Sequence, residues 1–392
     1  MKILYASETY LPTVNGAAIF TNKLAKEMAR RGHEIFVITI SSDLGNHAQK
    51  EDGITVYRLR SFSTILKPSQ RMGPFNRAQI NRLVREVKPD IIHIQNHLFI
   101  GAPAVDAANQ LEIPVVGTNH MGPGDISCFL PLPDFVKKIV DLIIWKHLGS
   151  VFNKCSYLTA PSCFVFDLFA KYGADRPGEV ISNGMDLNMF RPKRSGEGTK
   201  LKKKYSLPDK PIVLYAGRLD PGKEMEVWIK AVPYVLEKIE AHFVTVGPGT
   251  RKNSLRRLAR RMGIDKNITF IDTVPYAEMP DFYRLADLFA ISSVMESQSL
   301  TVLEAMASGL PIVATNSTAL PELVHDGEDG FLFEAGDSTM MAEKIIQILI
   351  DPALAKKMGQ KSLELVKKHS DQKTFDSFEA IYKRLAVTTA KA

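Results

Sequence analysis

Asp287–Thr315 reads DLFAISSVMESQSLTVLEAMASGLPIVAT. A short apolar run at Asp287–Ser292 leads into a polar turn. Apolar residues then recur at helical spacing from about Ser299 to Ser308, and Pro311–Thr315 is a second apolar run. Strand, helix and strand in so short a stretch form one right-handed crossover, which sets the strands parallel and lays the helix on the sheet.

The same rhythm extends both ways from this unit. Upstream lie strands at Ile212–Ala216, His242–Val246 and Ile268–Ile271, with helices at Glu224–Leu236 and Ser254–Met262. Downstream lie helical patterns at Ser338–Ile350, Pro352–Lys368 and Phe375–Leu385. Nearer the start, strands at Ile3–Ala6, Glu34–Ile40, Ile54–Leu59, Asp90–Ile94 and Pro114–Thr118 alternate with helices at Ala17–Arg31, Arg77–Val87 and Pro103–Gln110. Arg30-Arg31-Gly32 supplies a basic last turn and a glycine stop to the first helix. The rhythm breaks in RPKRSGEGTKLKKKYSLPDK, residues 191–210, which reads as a linker. The expected class is α/β, with two doubly wound Rossmann-like domains whose parallel sheets face across a cleft. Residues 1–190 are expected to form the first half and 191–370 the second. A C-terminal helix in 371–392 is expected to return toward the first half.

At 392 residues the chain exceeds what one core usually serves. It is 45% hydrophobic and 24% charged, which excludes disorder and a disulfide scaffold. Three cysteines without a CxxC pair, a start too short in apolar residues for a signal peptide, and no membrane-length apolar run predict a cytoplasmic protein. Peripheral attachment to the inner face of the cell membrane is compatible with all three. The net charge of +7 is unevenly spread. Arg58–Lys88 holds eight basic residues against Glu86 alone, and Arg251–Arg261 holds six and no acid. The first stretch, with Phe62, Ile65, Leu66 and Phe75, is a candidate for docking on anionic membrane through Arg58, Arg60, Lys67, Arg71 and Arg77. Phe135–Leu148, including Trp145, fits either a buried core helix or an interfacial helix beside an acceptor pocket. No aromatic-rich basic motif supports nucleic-acid binding. His93-x-x-x-His97 lies at a strand end without further ligands, so no metal site is expected.

The chemistry concentrates around Glu296. A helix beginning near Ser299 offers unpaired amides and a positive dipole end, a seat for phosphate. Glu296 precedes this seat and Glu304 follows it. Two carboxylates cannot favour the phosphate, so their reading is acceptance of hydrogen bonds from the hydroxyls of a sugar and a ribose. The plainer alternative is a pair of acids favourable to a helix start.

Glu296-x7-Glu304 followed by Ala-Met-Ala-Ser-Gly-Leu-Pro-Ile-Val-Ala-Thr resembles the retaining family 4 glycosyltransferases of GT-B fold. Four further elements follow the family's order. Leu214–Leu219 with Lys223 is similar to its strand and diphosphate loop, and Ile181–Asp186 with Phe190 to the segment closing the N-terminal domain. Pro12–Gly16 is similar to its first glycine-bearing loop, and His120 matches its active-site histidine. The resemblance implies acceptor binding by residues 1–190 and nucleotide-sugar binding by 191–370, catalytic roles for His120, Arg218, Lys223 and Glu296, and donor contacts from Gly16, Arg218, Lys223, Glu296, Ser299, Leu300, Thr301 and Glu304. His120 could instead be a hydrogen-bonded core histidine, and Asp125 could orient it or only cap the next helix.

This chain departs from the pattern at three places. Glu224 follows Lys223 where relatives carry glycine, Asn15-Gly16 replaces a glycine pair, and Ser299 stands where glycine is usual. The wording Glu-Ser-Gln-Ser-Leu-Thr resembles the subset that glucosylates diacylglycerol. The implied activity is transfer of a hexose, glucose from UDP-glucose, onto a lipid such as 1,2-diacylglycerol, with retention. The alternatives are a GDP-mannose-dependent mannosyltransferase acting on a phosphoinositide or oligosaccharide, and a nucleotide-sugar epimerase of the same fold. Absence of an Asp-x-Asp motif predicts no catalytic metal. No cofactor is implied, the nucleotide sugar being a substrate.

Overall fold

The computed structural model describes residues 1–13, 15–41, 45–63, 71–73, 76–130, 132–194, 197 and 199–389. Two compact units are present. The first is Met1–Asn183 with Gln372–Ala392, and the second is Gly184–Asp371. The boundary precedes the basic stretch 191–210, whose described residues include a short helix, Thr199–Lys204, within the second unit.

In chain order the first unit contains β1 (Lys2–Ala6), α1 (Gly16–Arg30), β2 (Glu34–Ile40), β3 (His47–Glu51), β4 (Ile54–Leu59), β5 (Phe62–Ser63) and β6 (Arg71–Met72). There follow α2 (Arg77–Val87), β7 (Ile91–Ile94), α3 (Gly101–Gln110), β8 (Val115–Thr118), α4 (Asp134–Phe152), β9 (Tyr157–Ala160), α5 (Cys163–Lys171) and β10 (Gly178–Val180). Its main sheet has the order β10-β9-β8-β7-β1-β2-β4-β3. All neighbours are parallel except β3, which runs antiparallel to β4. β5 and β6 form a separate ribbon. Strand order reverses between β1 and β7, paired through Ala6 and Ile94, so the switch point lies beyond those two residues.

The second unit contains α6 (Thr199–Lys204), β11 (Ile212–Ala216), α7 (Met225–Leu236), β12 (His242–Val246), α8 (Lys252–Arg261), β13 (Ile268–Ile271), α9 (Met279–Leu285) and β14 (Leu288–Ile291). It continues with α10 (Leu300–Ala307), β15 (Ile312–Thr315), β16 (Gly330–Phe333), α11 (Ser338–Leu349) and α12 (Pro352–Leu365). Six parallel strands follow the order β13-β12-β11-β14-β15-β16, with the switch point between β11 and β14. β11 and β12 are buried at every position. Continuous apolar runs such as Ile-Val-Leu-Tyr-Ala are what a sheet covered on both faces requires. Trp228 of α7 packs edge-on against Phe243 at 5.1 Å.

Local chemistry fixes the ends of these elements. The Asn15 side chain accepts from the Ala18 amide at 2.9 Å and starts α1, and Gly32 at φ 87° lets the chain leave it. The last helix, α13 (Asp371–Thr389), buries Phe375, Phe378, Ile381 and Tyr382 in the first unit's core. Their helical spacing makes one apolar face. Tyr382 bonds His93 at 2.6 Å, and Glu379 pairs with Arg31 at 2.8 Å.

Candidate active site

Two loops at the second unit's switch point carry the cationic residues and the first carboxylate. Residues 217–224 follow β11, and residues 292–299 follow β14. They are stitched together: the Val294 amide donates to Gly222 O at 3.0 Å, and the Ser292 hydroxyl donates to Lys223 O at 3.0 Å. Lys223 Nζ donates to Glu296 Oε1 at 2.8 Å and to Met295 O at 3.1 Å. Lys223 therefore holds the carboxylate in place.

Arg218 is held in turn. Its Nε donates to Asp220 Oδ2 at 2.7 Å, while Asp220 Oδ1 accepts from the Thr250 amide and hydroxyl, both at 2.9 Å. Burial works against ionising Asp220, but the Thr250 contacts and Arg218 outweigh it and keep the carboxyl below its ordinary value. The Arg218 side chain is 41% exposed against 4% for Asp220, so the guanidinium reaches solvent from a buried anchor. A guanidinium has five donors, which suits it to bind an anion while anchored.

Glycine allows the loop after β12, residues 247–251, to close in. At Gly249 an added Cβ would lie 2.3 Å from Leu219 C and O, and at Gly247, φ 140°, it would lie 2.1 Å from Gly217 O. We expect Gly249→Ala to displace the Arg218 loop and destabilise the second unit by about 2–3 kcal/mol. An unchanged melting temperature would refute this packing.

α10 starts at Leu300, and the Ser299 side chain makes no capping bond to its amides. Amides at a helix start, reinforced by the dipole, favour an anion. Ser299 and Glu224 occupy left-handed backbone at φ 57° and 46°. These are the positions where the family pattern has glycine, and a side chain there costs about 1–2 kcal/mol. Leu300 and Thr301 are half-buried. Glu304 lies one turn on and is buried, accepting from Tyr276 at 2.9 Å and Tyr283 at 2.6 Å. Burial, followed by the Glu304 charge, raises both phenols, so each stays protonated and donates. A ribose hydroxyl at Glu304 would meet the Tyr276 and Tyr283 hydroxyls beside it. Asp220 and the two tyrosines escaped the sequence reading. Asp220 alone carried a signal, lying two residues after Arg218.

In the first unit His120 follows β8, and its Nε2 is 2.8 Å from Gln95 Oε1 beyond β7. Its ring lies against Phe20 at 5.0 Å, and burial pushes its pKa down to about 4. Asp125 accepts from the Gly122 amide at 2.7 Å, which shapes the loop after His120. Gly16 is exposed at the start of α1. Glu8, beyond β1, is buried and accepts from the Ile100 amide at 2.8 Å. Burial pushes it up to about 7 against the amides of Ile100, Gly101 and Phe99. Glu8 Oε2, Gln95 Nε2, Asn96 Oδ1 and both His97 nitrogens are buried without a protein partner. All lie on the two loops of this unit's switch point.

The membrane candidates fare differently. Arg58 is buried, donating to Leu11 O at 2.7 Å and Glu51 Oε1 at 3.1 Å, and so holds the loop after β1 rather than a headgroup. Arg71 donates to Ser61 Oγ at 2.6 Å, and Arg77 pairs with Asp106 at 2.9 Å. Trp145 is buried and stacked on Tyr172 at 5.0 Å, which removes it from any acceptor or membrane surface. Arg60 is exposed. Lys67, Ile65, Leu66 and Phe75 lie outside the described residues.

Comparison with known proteins agrees with this architecture. The family model described as "Glycosyltransferase Family 4" matches residues 14–189, and that described as "Glycosyl transferases group 1" matches residues 198–364. The alpha-monoglucosyldiacylglycerol synthase of Streptococcus pneumoniae is 27% identical over 85% of this chain and 75% of its own length. The enzyme of that name from Acholeplasma laidlawii is 24% identical over 97% and 96%. A D-inositol 3-phosphate glycosyltransferase of Corynebacterium efficiens is 32% identical over 57% and 55%. Among solved structures, sucrose-phosphate synthase of Thermosynechococcus elongatus superposes with a TM-score of 0.79 over 99% of this chain and all of its own, at 19% identity. Anabaena HepE in complex with UDP-glucose gives 0.75 over the whole of both chains at 20% identity. With two parallel-sheet domains, cations and a carboxylate at the second switch point, and a family match on each half, the chain belongs to the family 4, group 1 glycosyltransferases of GT-B fold.

Proposed function

We propose that the protein transfers glucose from UDP-glucose to a lipid acceptor, 1,2-diacylglycerol, with retention of anomeric configuration and without a metal. One observation carries the donor side: Arg218, Lys223, Glu296 and the start of α10 converge on the β11–β14 switch point. Breaking a glycosyl–phosphate bond builds negative charge on the departing diphosphate. Fixed cations and helix amides stabilise that charge more than they stabilise the ground state. Glu296, fixed by Lys223, accepts hydrogen bonds from the sugar hydroxyls. Its loop wording, Glu-Ser-Gln-Ser-Leu-Thr, and the two monoglucosyldiacylglycerol synthases that match most of the chain support the glucose and the lipid. His120, held by Gln95, is assigned to the acceptor side.

The test incubates the protein with UDP-glucose, UDP-galactose or GDP-mannose, with diacylglycerol, with a phosphoinositide or with no acceptor, each with and without EDTA. Expected is α-glucosyldiacylglycerol from UDP-glucose alone, at a rate indifferent to EDTA. Mannose entering a phosphoinositide would overturn donor and acceptor together. Epimerised donor with no glycoside formed would overturn the transferase reading.

A further inference from the structure

Helix α4 changes character halfway along. Trp145, Leu148, Gly149, Val151 and Phe152 in its C-terminal half are buried, whereas no residue before Trp145 is. That first half is nonetheless apolar. Phe135, Ile139, Leu142 and Ile143 are 68%, 54%, 46% and 63% exposed. Offsets of four, seven and eight residues put all four on one stripe about 12 Å long. Leu132, just ahead of the helix, is also exposed. A contiguous run of large exposed apolar side chains marks an interaction surface rather than ordinary scatter.

The charges beside the stripe identify the partner. Lys138 and Lys146 are exposed next to it. The two acids of the helix are both engaged, Asp134 with Lys137 at 3.3 Å and Asp141 with the Ser127 hydroxyl at 2.8 Å. The face offered outward is apolar and cationic, the signature of a helix lying in a bilayer interface with anionic headgroups. A second copy fits poorly. A stripe this narrow falls short of a standard protein interface, and two-fold pairing would bring its own lysines together. No described helix is long and apolar enough to cross a membrane, so the helix would lie on it. The Ser127–Asp141 bond ties α4 to the loop that begins at His120.

We propose that the first half of α4 is the bilayer-docking face of this protein. Phe135, Ile139, Leu142 and Ile143 enter the headgroup–acyl boundary, and Lys138 and Lys146 meet anionic headgroups. Docking there brings the His120 loop to the depth at which a diacylglycerol hydroxyl emerges. That last step rests on the lipid-acceptor reading above, whereas the docking does not.

The test uses the full chain and sedimentable vesicles of phosphatidylcholine, alone or with one-fifth phosphatidylglycerol. The wild type should co-sediment, and more strongly with the anionic lipid. Phe135→Ser/Ile143→Ser should lower partitioning about a hundredfold, because two large apolar groups no longer leave water. Lys138→Gln/Lys146→Gln should abolish most of the anionic preference, about tenfold. Both variants should retain transfer to a water-soluble short-chain diacylglycerol while losing it on bilayer-embedded diacylglycerol. Undiminished sedimentation of the Phe135/Ile143 variant would overturn the proposal. So would a wild-type dimer in light scattering that this variant makes monomeric, which would assign the face to self-association. Vesicle binding through this face without transfer to any diacylglycerol would uphold the docking and remove the acceptor reading.

Discussion

Glu296→Ala should lower kcat/KM for sugar transfer by about a hundredfold to ten-thousandfold while leaving the fold intact. The range is what loss of one fixed group acting on the reacting sugar removes from transition-state stabilisation, about 3–5 kcal/mol. Glu296 accepts from Lys223 at 2.8 Å, and in the proposed function it also binds the donor sugar. If that function holds, removing it deletes the sugar contact and, by releasing Lys223, loosens the hold on the diphosphate as well. Stability should change little, because Lys223 is 23% exposed and can hydrate once unpaired. Glu296→Gln should fall between the variants, keeping an acceptor for hydroxyls but weakening the hold of Lys223. Initial rates, paired with thermal melts, separate the site effect from unfolding. Near-normal turnover in Glu296→Ala would remove this residue from the site.

Periodicity in the sequence located most parallel strands to within a residue or two, because strands buried on both faces read as unbroken apolar runs. Elements without such runs were missed. β3, His47-Ala48-Gln49-Lys50-Glu51, is an exposed antiparallel edge whose partner is β4 alone, and β16 begins with glycine. The segment holding β9, α5 and β10 went unassigned, and β10 is only three residues long. Motif residues around Glu296 were legible because a strand–loop–helix unit sets them by local sequence. Their holders were not. Gln95 meets His120 only through the β7–β8 pairing, which aligns Ile94 with Gly117, and Tyr283 meets Glu304 from a different helix. Arg58 shows the converse error. Charge composition placed it on a surface, whereas the pairing of β4 with β2 and β3 buries it against the loop after β1.

Acid should destabilise the first unit before its ordinary carboxylates titrate. His93, His97 and His120 are all held neutral. Burial pushes His97 down to about 3, helped by His147, and His120 down to about 4, and it drives His93 well below its ordinary value. In the unfolded chain each takes up a proton near pH 6.5. Between pH 6.5 and about 4 the unfolded state therefore binds more protons, so stability is fully present above that window and falls as pH drops through it. Glu8 acts the other way. Its folded value of about 7 lies above the unfolded one, so between about pH 4.5 and 7 the folded state binds the extra proton and gains stability as pH falls. Three histidines against one carboxyl leave about two protons net. At about 1.4 kcal/mol per proton per pH unit, moving from pH 7.5 to 5 should cost about 3–4 kcal/mol, or about 10 °C in melting temperature. Carboxylates held below their ordinary value, such as Glu27, Asp106 and Glu379, lose stability in the same direction but at lower pH, outside this interval. Glu8→Gln should steepen the loss by about one proton, and His97→Phe should shallow it by about one. Melting curves for the three proteins at pH 7.5 and 5 decide the matter. Equal wild-type melting temperatures at the two pH values would mean that these histidines are not held neutral by the fold.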